Sequence, residues 1–157
     1  MKKIILVLLI CVILILGYWL ISPFWRNKVV SENLPNTIDN ISEDKKDNEI
    51  MIFKKGTFTG FDKIHNGSGD IVLVQINGKN YIRFEENFNV NNGPDLYVGL
   101  GKNGEYIKDS ELGKLKGNIG SQNYELPENI NFENVHEVWI WCKAFSVPFA
   151  KAILFDF

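Results

Sequence analysis

Apolar and polar residues divide the chain into three parts. An uncharged apolar run covers residues 4–25, a stretch rich in Ser, Asn, Asp, Glu and Lys follows, and short apolar runs between turn residues fill the remainder. This pattern predicts an N-terminal transmembrane anchor over residues 1–28 and a flexible polar linker over residues 29–49. Residues 50–157 are predicted to form a single folded domain.

The folded part carries short β-strand patterns separated by turn residues. Asn77 and Gly78 separate two of these strands, and Asn-Gly is the strongest short signal for a β-hairpin because both turn residues adopt positive φ. Seven or eight such strands predict an all-β domain, either an antiparallel barrel or the β-sandwich that we favour. The predicted strands are 55–61, Asp70–Ile76, Lys79–Phe84, 95–100, 122–126, Glu137–Cys142 and 149–155.

The strand predicted over residues 137–142 is apolar on both faces. Alternation places Val138, Ile140 and Cys142 on one face and Trp139 and Trp141 on the other. A strand that is apolar on both sides is expected at the centre of a sheet, with both faces covered. Tryptophans in such a strand are more often core packing than a platform for a ligand.

The apolar N-terminal run predicts a retained signal-anchor helix. Lys2 and Lys3 precede it, its length matches the roughly 20 residues that cross a bilayer, and Tyr18 and Trp19 lie near one end as in an interfacial belt. A cleaved signal peptide and a lipid anchor at Cys11 are the alternatives, but no small-residue cleavage site is evident. A retained anchor predicts a single-pass protein of the cell membrane with an extracytoplasmic C-terminal domain.

Charge and motif content limit the function classes. The 157-residue chain has a formal net charge of −2 and no basic stripe, so nucleic acid is not a predicted partner. Its two cysteines are Cys11, in the apolar run, and Cys142, so the folded part cannot form an internal disulfide. The sequence contains no phosphate-binding loop, dinucleotide fingerprint, metalloprotease helix or CxxC motif. No enzyme class and no metal site is therefore predicted.

Cys142 is the candidate functional residue. Free cysteine is among the most buried residue types, so a structural thiol in the core is the competing interpretation. A redox thiol needs access, which requires the loop over residues 143–148 to leave the sulfur open. His65, in a glycine-rich turn, and His136, just before the strand of Cys142, are further candidates for binding a cofactor. Surface or capping roles are the alternative for both histidines.

Three motifs in order resemble the "DM thirteen" electron-transfer domain family of Skeletor-type, DOMON-related proteins. They are NGPDL at residues 92–96, GNIGSQNYELP at 117–127 and WCKAFSVPFAKA at 141–152. The resemblance covers about residues 55–155 and implies a β-sandwich with a single redox cysteine, here Cys142. That cysteine would act as a bare thiol or as the ligand of a group such as haem. Ala150 departs from the glycine typical of the closing strand, so we expect a tight backbone approach there.

Three hypotheses on function follow. The first is a membrane-tethered, extracytoplasmic domain that acts in electron transfer or thiol redox through Cys142, with a redox protein as partner and the cofactor left open. The second is a non-catalytic module that binds a cell-surface or envelope partner through the turn-rich loops 61–68 and 91–95. The third is a structural envelope component in which Cys142 only fills the core.

Overall fold

The computed structural model describes residues 2–21, 26–35 and 50–157 of the chain. Within these ranges, helix α1 (Lys2–Ile21) precedes an all-β domain that also contains a short 3-10 helix, Phe132–Asn134. The strands are β1 (Ile50–Gly60), β2 (Gly67–Ser68), β3 (Asp70–Ile76), β4 (Lys79–Phe84), β5 (Asn89–Val90), β6 (Leu96–Lys102), β7 (Glu105–Tyr106), β8 (Gly113–Lys114), β9 (Gln122–Glu125), β10 (Glu137–Cys142) and β11 (Val147–Asp156).

The strands form one curled antiparallel sheet and a small ribbon. In the described residues, the sheet has nine strands in the order β7-β6-β10-β11-β1-β3-β4-β9, with β8 also paired to β6, and β2 pairs with β5. The predicted all-β antiparallel class is confirmed, but a single curled sheet replaces the predicted pair of facing sheets. Bulges at Ile52/Lys54 and Ile140/Trp141 contribute to the curling of the sheet, because a bulge bends its strand and increases the local twist.

The hydrophobic core lies on the inner face of the curled sheet. Phe58 of β1, Phe84 of β4 and Phe88 contact one another with ring centroids 4.6 to 5.2 Å apart. All three rings are almost fully buried, and aromatic pairs at such distances stabilise a core beyond their buried area. Strand β10 lies between β6 and β11, as predicted for a central strand.

Ala150 of β11 lies where the ribbon strand β2 approaches the sheet. It is fully buried, and a Cβ atom at Gly67 would lie 2.7 Å from the Ala150 Cβ. The methyl group of Ala150 is therefore accommodated because the facing position is a glycine. This agrees with the tight backbone approach expected at Ala150.

Residues 26–35 form an extended segment, here called the N-terminal strap, that is bound to the domain. The Val30 amide donates to the Ile119 carbonyl and the Glu32 amide donates to the Ser121 carbonyl, each at 2.9 Å. Gly120, at φ 93°, lies directly against the Val30 carbonyl, where a side chain would not fit. Residues 29–35 of the predicted linker are thus held on the domain, and residues 36–49 lie outside the described residues.

A carboxylate fixes the middle of the strap. Both oxygens of Glu32 accept from the Lys116 ammonium, at 2.8 and 2.9 Å, and one also accepts from the Asn123 amide at 2.8 Å. Partial burial alone would raise the pKa of Glu32, but the bonds from Lys116 and Asn123 outweigh it and lower that pKa. The carboxylate is therefore ionised, and its bonds to Lys116 are charge-assisted, at neutral pH.

The predicted transmembrane helix over residues 1–28 is not supported. In the ranges 2–21, 26–35 and 50–157, no helix is long and apolar enough to cross a membrane. Residues 22–25 of the apolar run lie outside the described residues.

Candidate functional site

Cys142 lies at the end of β10 and faces the core. Its register partners are Leu96 of β6 and Val147 of β11, and it has no exposed surface. Val138 and Ile140 belong to the same core cluster as Cys142, whereas Trp139 does not, so the predicted alternation is confirmed. The thiol cannot be contacted by a partner in this conformation. The open loop that a redox thiol requires is not observed over residues 143–148.

His65 and His136 have partners other than Cys142 among the described residues. The His65 ring lies 4.9 Å from the ring of Phe149, and its Nδ1 lies 2.7 Å from a carboxylate oxygen of Asp62. That hydrogen bond is the largest reason why the pKa of Asp62 falls to about 2. The His136 Nδ1 lies 3.4 Å from the Lys54 ammonium, and six extended residues place His136 about 20 Å from Cys142.

A haem held by Cys142 does not fit these residues. A haem iron needs an axial ligand that reaches into a cleft, whereas the Cys142 side chain is enclosed by its neighbours. Among the described residues, no group of three or more His, Cys, Asp or Glu side chains could hold a metal ion. We therefore derive no step through a haem or a metal.

The outer face of β10 carries a different group of side chains, here called the outer aromatic layer (Tyr106, Trp139 and Trp141). On the neighbouring strand β6, Gly99 and Gly101 face the same side and leave a trough. The Tyr106 ring lies against Gly99 and the Trp139 indole lies against Gly101. The absence of side chains on β6 therefore allows both rings to pack directly on the sheet.

The rings of the outer aromatic layer are in contact. Tyr106 and Trp141 are stacked with centroids 4.5 Å apart and planes inclined by 3°. Trp139 meets Tyr106 edge to face at 6.3 Å, and the ring of Phe61 lies 5.3 Å from that of Trp139. Trp139 is buried, whereas Tyr106 and Trp141 are half-buried, so the stacked pair is the part of the layer that reaches the surface.

Glu137 holds this layer in place from within the sheet. One carboxylate oxygen accepts from the Trp139 indole at 3.0 Å and the other accepts from the Gly104 amide at 2.7 Å. Glu137 is 7% exposed, so both bonds form away from bulk water. A buried carboxyl group that accepts from two donors fixes the Trp139 ring and the turn between β6 and β7 at the same time.

The Tyr106 hydroxyl is buried and makes no hydrogen bond within the described residues. Burial, together with the nearby negative charge of Glu111, raises the pKa of Tyr106 to about 12. The phenol therefore stays protonated at physiological pH.

A groove of about 630 Å³ opens over the stacked pair. This volume lies within the range of small-molecule and cofactor pockets. Its rim is charged, and Lys143 pairs there with Glu111 at 3.2 Å. The groove is lined by Glu105, Tyr106, Lys108, Asp109, Glu111, Trp139, Trp141, Lys143 and Ser146.

Sequence reasoning missed this groove. It treated the two tryptophans of β10 as core packing, which holds for Trp139 but leaves out the half-buried Trp141. The signal was present in β6, where Gly99 and Gly101 alternate with buried Val98 and Leu100. Two glycines on one face beside a tryptophan-rich strand indicate that large rings cover that face.

The comparisons with known proteins point to one family. A family model described as "Electron transfer DM13" matches residues 57–154, which includes the outer aromatic layer and Cys142. The match begins after the N-terminal strap. Neither the curated proteins nor the solved structures gave a match.

Proposed function

The chain belongs to the electron transfer DM13 family, and from that premise we propose that its domain exchanges electrons with a redox partner at the outer aromatic layer. The observation that carries this proposal is the face-to-face stack of Tyr106 and Trp141, half-buried under an open groove. Cys142, the cysteine of the matched region, has no exposed surface through which a partner could reach it.

Trp141 is the residue proposed to exchange the electron. Its indole loses one electron to an oxidised partner in the groove, and the resulting radical cation releases its ring proton to water there. The stacked Tyr106 ring stabilises the positive charge on Trp141, since an aromatic face attracts a cation. Tyr106 itself is harder to oxidise, because oxidation of a phenol is coupled to loss of its proton, and its burial and the nearby Glu111 raise its pKa to about 12.

The role of Cys142 stays a prediction. The residue follows Trp141 directly but points to the opposite face of the sheet, so the sulfur lies behind the indole as seen from the groove. Thiol exchange with a partner requires a direct approach of two sulfur atoms. Residues 143–148 would have to move before the Cys142 sulfur could react in that way.

The proposal is tested by mapping where a limited oxidation first strikes the chain. We expect a photogenerated ruthenium(III) tris-bipyridine oxidant, supplied below one equivalent, to modify Trp141 before other residues of the matched region 57–154. Peptide mapping by mass spectrometry locates the product. Oxidation of Cys142 or Tyr106 ahead of Trp141 would contradict the proposal.

Attachment to a membrane, on its extracytoplasmic side, is also proposed. Most described apolar side chains of α1 are exposed, including Ile4, Leu8 and Leu14 at 60% or more. An apolar surface of this extent needs an apolar partner. We expect the full chain to remain with membranes in alkaline carbonate and to be released by detergent. Recovery of the chain in the carbonate supernatant would exclude this attachment.

A further inference from the structure

A second pocket, of about 460 Å³, lies where the N-terminal strap meets two loops of the domain. The Asn91 amide nitrogen donates to the Asn66 carbonyl at 2.8 Å, and the Asn91 side chain donates to the carbonyls of Lys63 and Ile64. These bonds join the two loop regions on which the binding-module hypothesis rests. We call this site the amide pocket; it is lined by Asn27, Ile64, Asn89, Val90, Asn91, Asn92 and Asn118.

The strap completes the amide pocket. The side-chain oxygen of Asn27 accepts from the Asn92 side chain at 3.0 Å and from the Asn118 side chain at 3.1 Å. Asn118 is 6% exposed, and its own oxygen accepts from the backbone amide of Lys28. The pocket therefore has a fixed wall of hydrogen-bonded amides to which both the strap and the domain contribute.

Several amide groups in the pocket have no partner in the described part of the chain. They are the side-chain nitrogen of Asn27, the side-chain oxygens of Asn91 and Asn92, and the whole side-chain amide of Asn89. Each amide supplies a donor and an acceptor. The wall thus presents both kinds of group within one cavity.

The chemistry of the lining selects the class of ligand. Among the described residues, no charged side chain and no aromatic ring lines the pocket, so it offers neither an ion-pair partner nor a stacking surface. A ligand with adjacent hydroxyl groups both donates and accepts hydrogen bonds, so it matches a wall of side-chain amides. Ile64 and Val90 add apolar contact for the carbon framework of a ligand.

We propose that the amide pocket binds a neutral saccharide. This inference is independent of electron transfer at the outer aromatic layer, from which it uses no residue. It gives the binding-module hypothesis a specific site, in which residues 61–66 and 89–92 recognise the hydroxyl groups of one or two sugar units. The strap contributes directly through Asn27.

The test is a titration of the full chain with maltose, cellobiose and chitobiose, and with triglycine as an uncharged peptide. Side-chain amide signals in nitrogen-15 NMR report binding at the asparagines. We expect at least one saccharide to shift the signals of Asn89 and Asn92. The inference is overturned if no saccharide shifts them, or if triglycine binds more tightly than every saccharide.

Variants place the binding in the pocket. The double substitution Asn89→Ala and Asn92→Ala is expected to weaken saccharide binding about tenfold, because it removes two sets of ligand hydrogen bonds. Asn129→Ala, at an exposed turn outside the pocket, is the matched control and should bind as the parent chain does. If the double variant has a lower melting temperature than the parent chain, the single substitution Asn89→Ala is used instead, since that side chain makes no hydrogen bond in the described residues. Parent-like affinity in the folded pocket variant would overturn the inference.

Discussion

Replacing Trp141 by phenylalanine is expected to slow electron exchange with an external oxidant about tenfold or more, equivalent to about 1.4 kcal/mol in the barrier. Phenylalanine keeps a ring stacked on Tyr106, so the fold and the groove are preserved, but a benzene ring is far harder to oxidise than an indole. The rate is measured by flash photolysis of ruthenium(III) tris-bipyridine with the full chain. Trp19 and Trp25 are replaced by phenylalanine in every sample so that they do not react.

Two matched variants show whether the indole or the thiol carries the electron. Cys142→Ala is expected to leave the exchange rate unchanged while lowering the free energy of unfolding by about 1–2 kcal/mol, since it truncates a buried side chain. Tyr106→Phe keeps the stacked ring and removes only the hydroxyl group, so this variant too should exchange electrons at the parent rate. If Cys142→Ala stops exchange and Trp141→Phe does not, the sulfur carries the electron and the proposed route through the indole is wrong.

The regular part of the fold could be predicted because its signals are local. Strands β3, β4 and β10 have the bounds predicted from alternation and from the Asn77-Gly78 turn, in which Asn77 has φ 51° and Gly78 has φ 82°. The inward placement of Cys142 also follows from alternation alone. These features depend on residues that are neighbours in sequence, so a period of two and a turn signal suffice.

The remaining elements depend on contacts between distant segments. Strands β2, β5, β7 and β8 have two residues each, too few to show a period. The strap is bound because Gly117 and Gly120 lie against the carbonyls of Lys28 and Val30. A glycine in a polar stretch predicts a turn, but it does not show which distant backbone will approach it.

In the candidate site too, some features follow from neighbouring residues in the sequence and others depend on contacts between distant segments. A lone cysteine in a family motif directs attention to its sulfur, and sequence alone could not show whether residues 143–148 cover it. The covering comes from the pairing of Cys142 with Leu96 and Val147 on two other strands. The outer aromatic layer likewise needs the register of β10 against β6, which places Trp139 opposite Gly99 and Glu137 opposite Gly101.

Gly101→Ala is expected to destabilise the domain by about 2–3 kcal/mol, although alanine suits a strand at least as well as glycine. A Cβ atom at position 101 would overlap the Trp139 indole nitrogen and would lie 2.9 Å from the Glu105 carbonyl oxygen. The indole must then move away from Glu137 and leave a buried carboxylate with one donor fewer, which adds to the cost of overpacking. Urea unfolding followed by circular dichroism gives the free energy, and tryptophan fluorescence should show a changed environment for Trp139.

Gly78→Ala separates this steric effect from the conformational role of glycine. Gly78 has φ 82° and no heavy atom within 4 Å of the position of an added Cβ, so its substitution costs only the backbone strain, about 1 kcal/mol. Gly101 is not among the positive-φ glycines, so the whole effect of its substitution comes from the lost space for the indole. If Gly101→Ala costs no more than Gly78→Ala and leaves the fluorescence unchanged, Trp139 does not pack in the trough of β6. The outer aromatic layer would then lack the support on which its role in electron exchange depends.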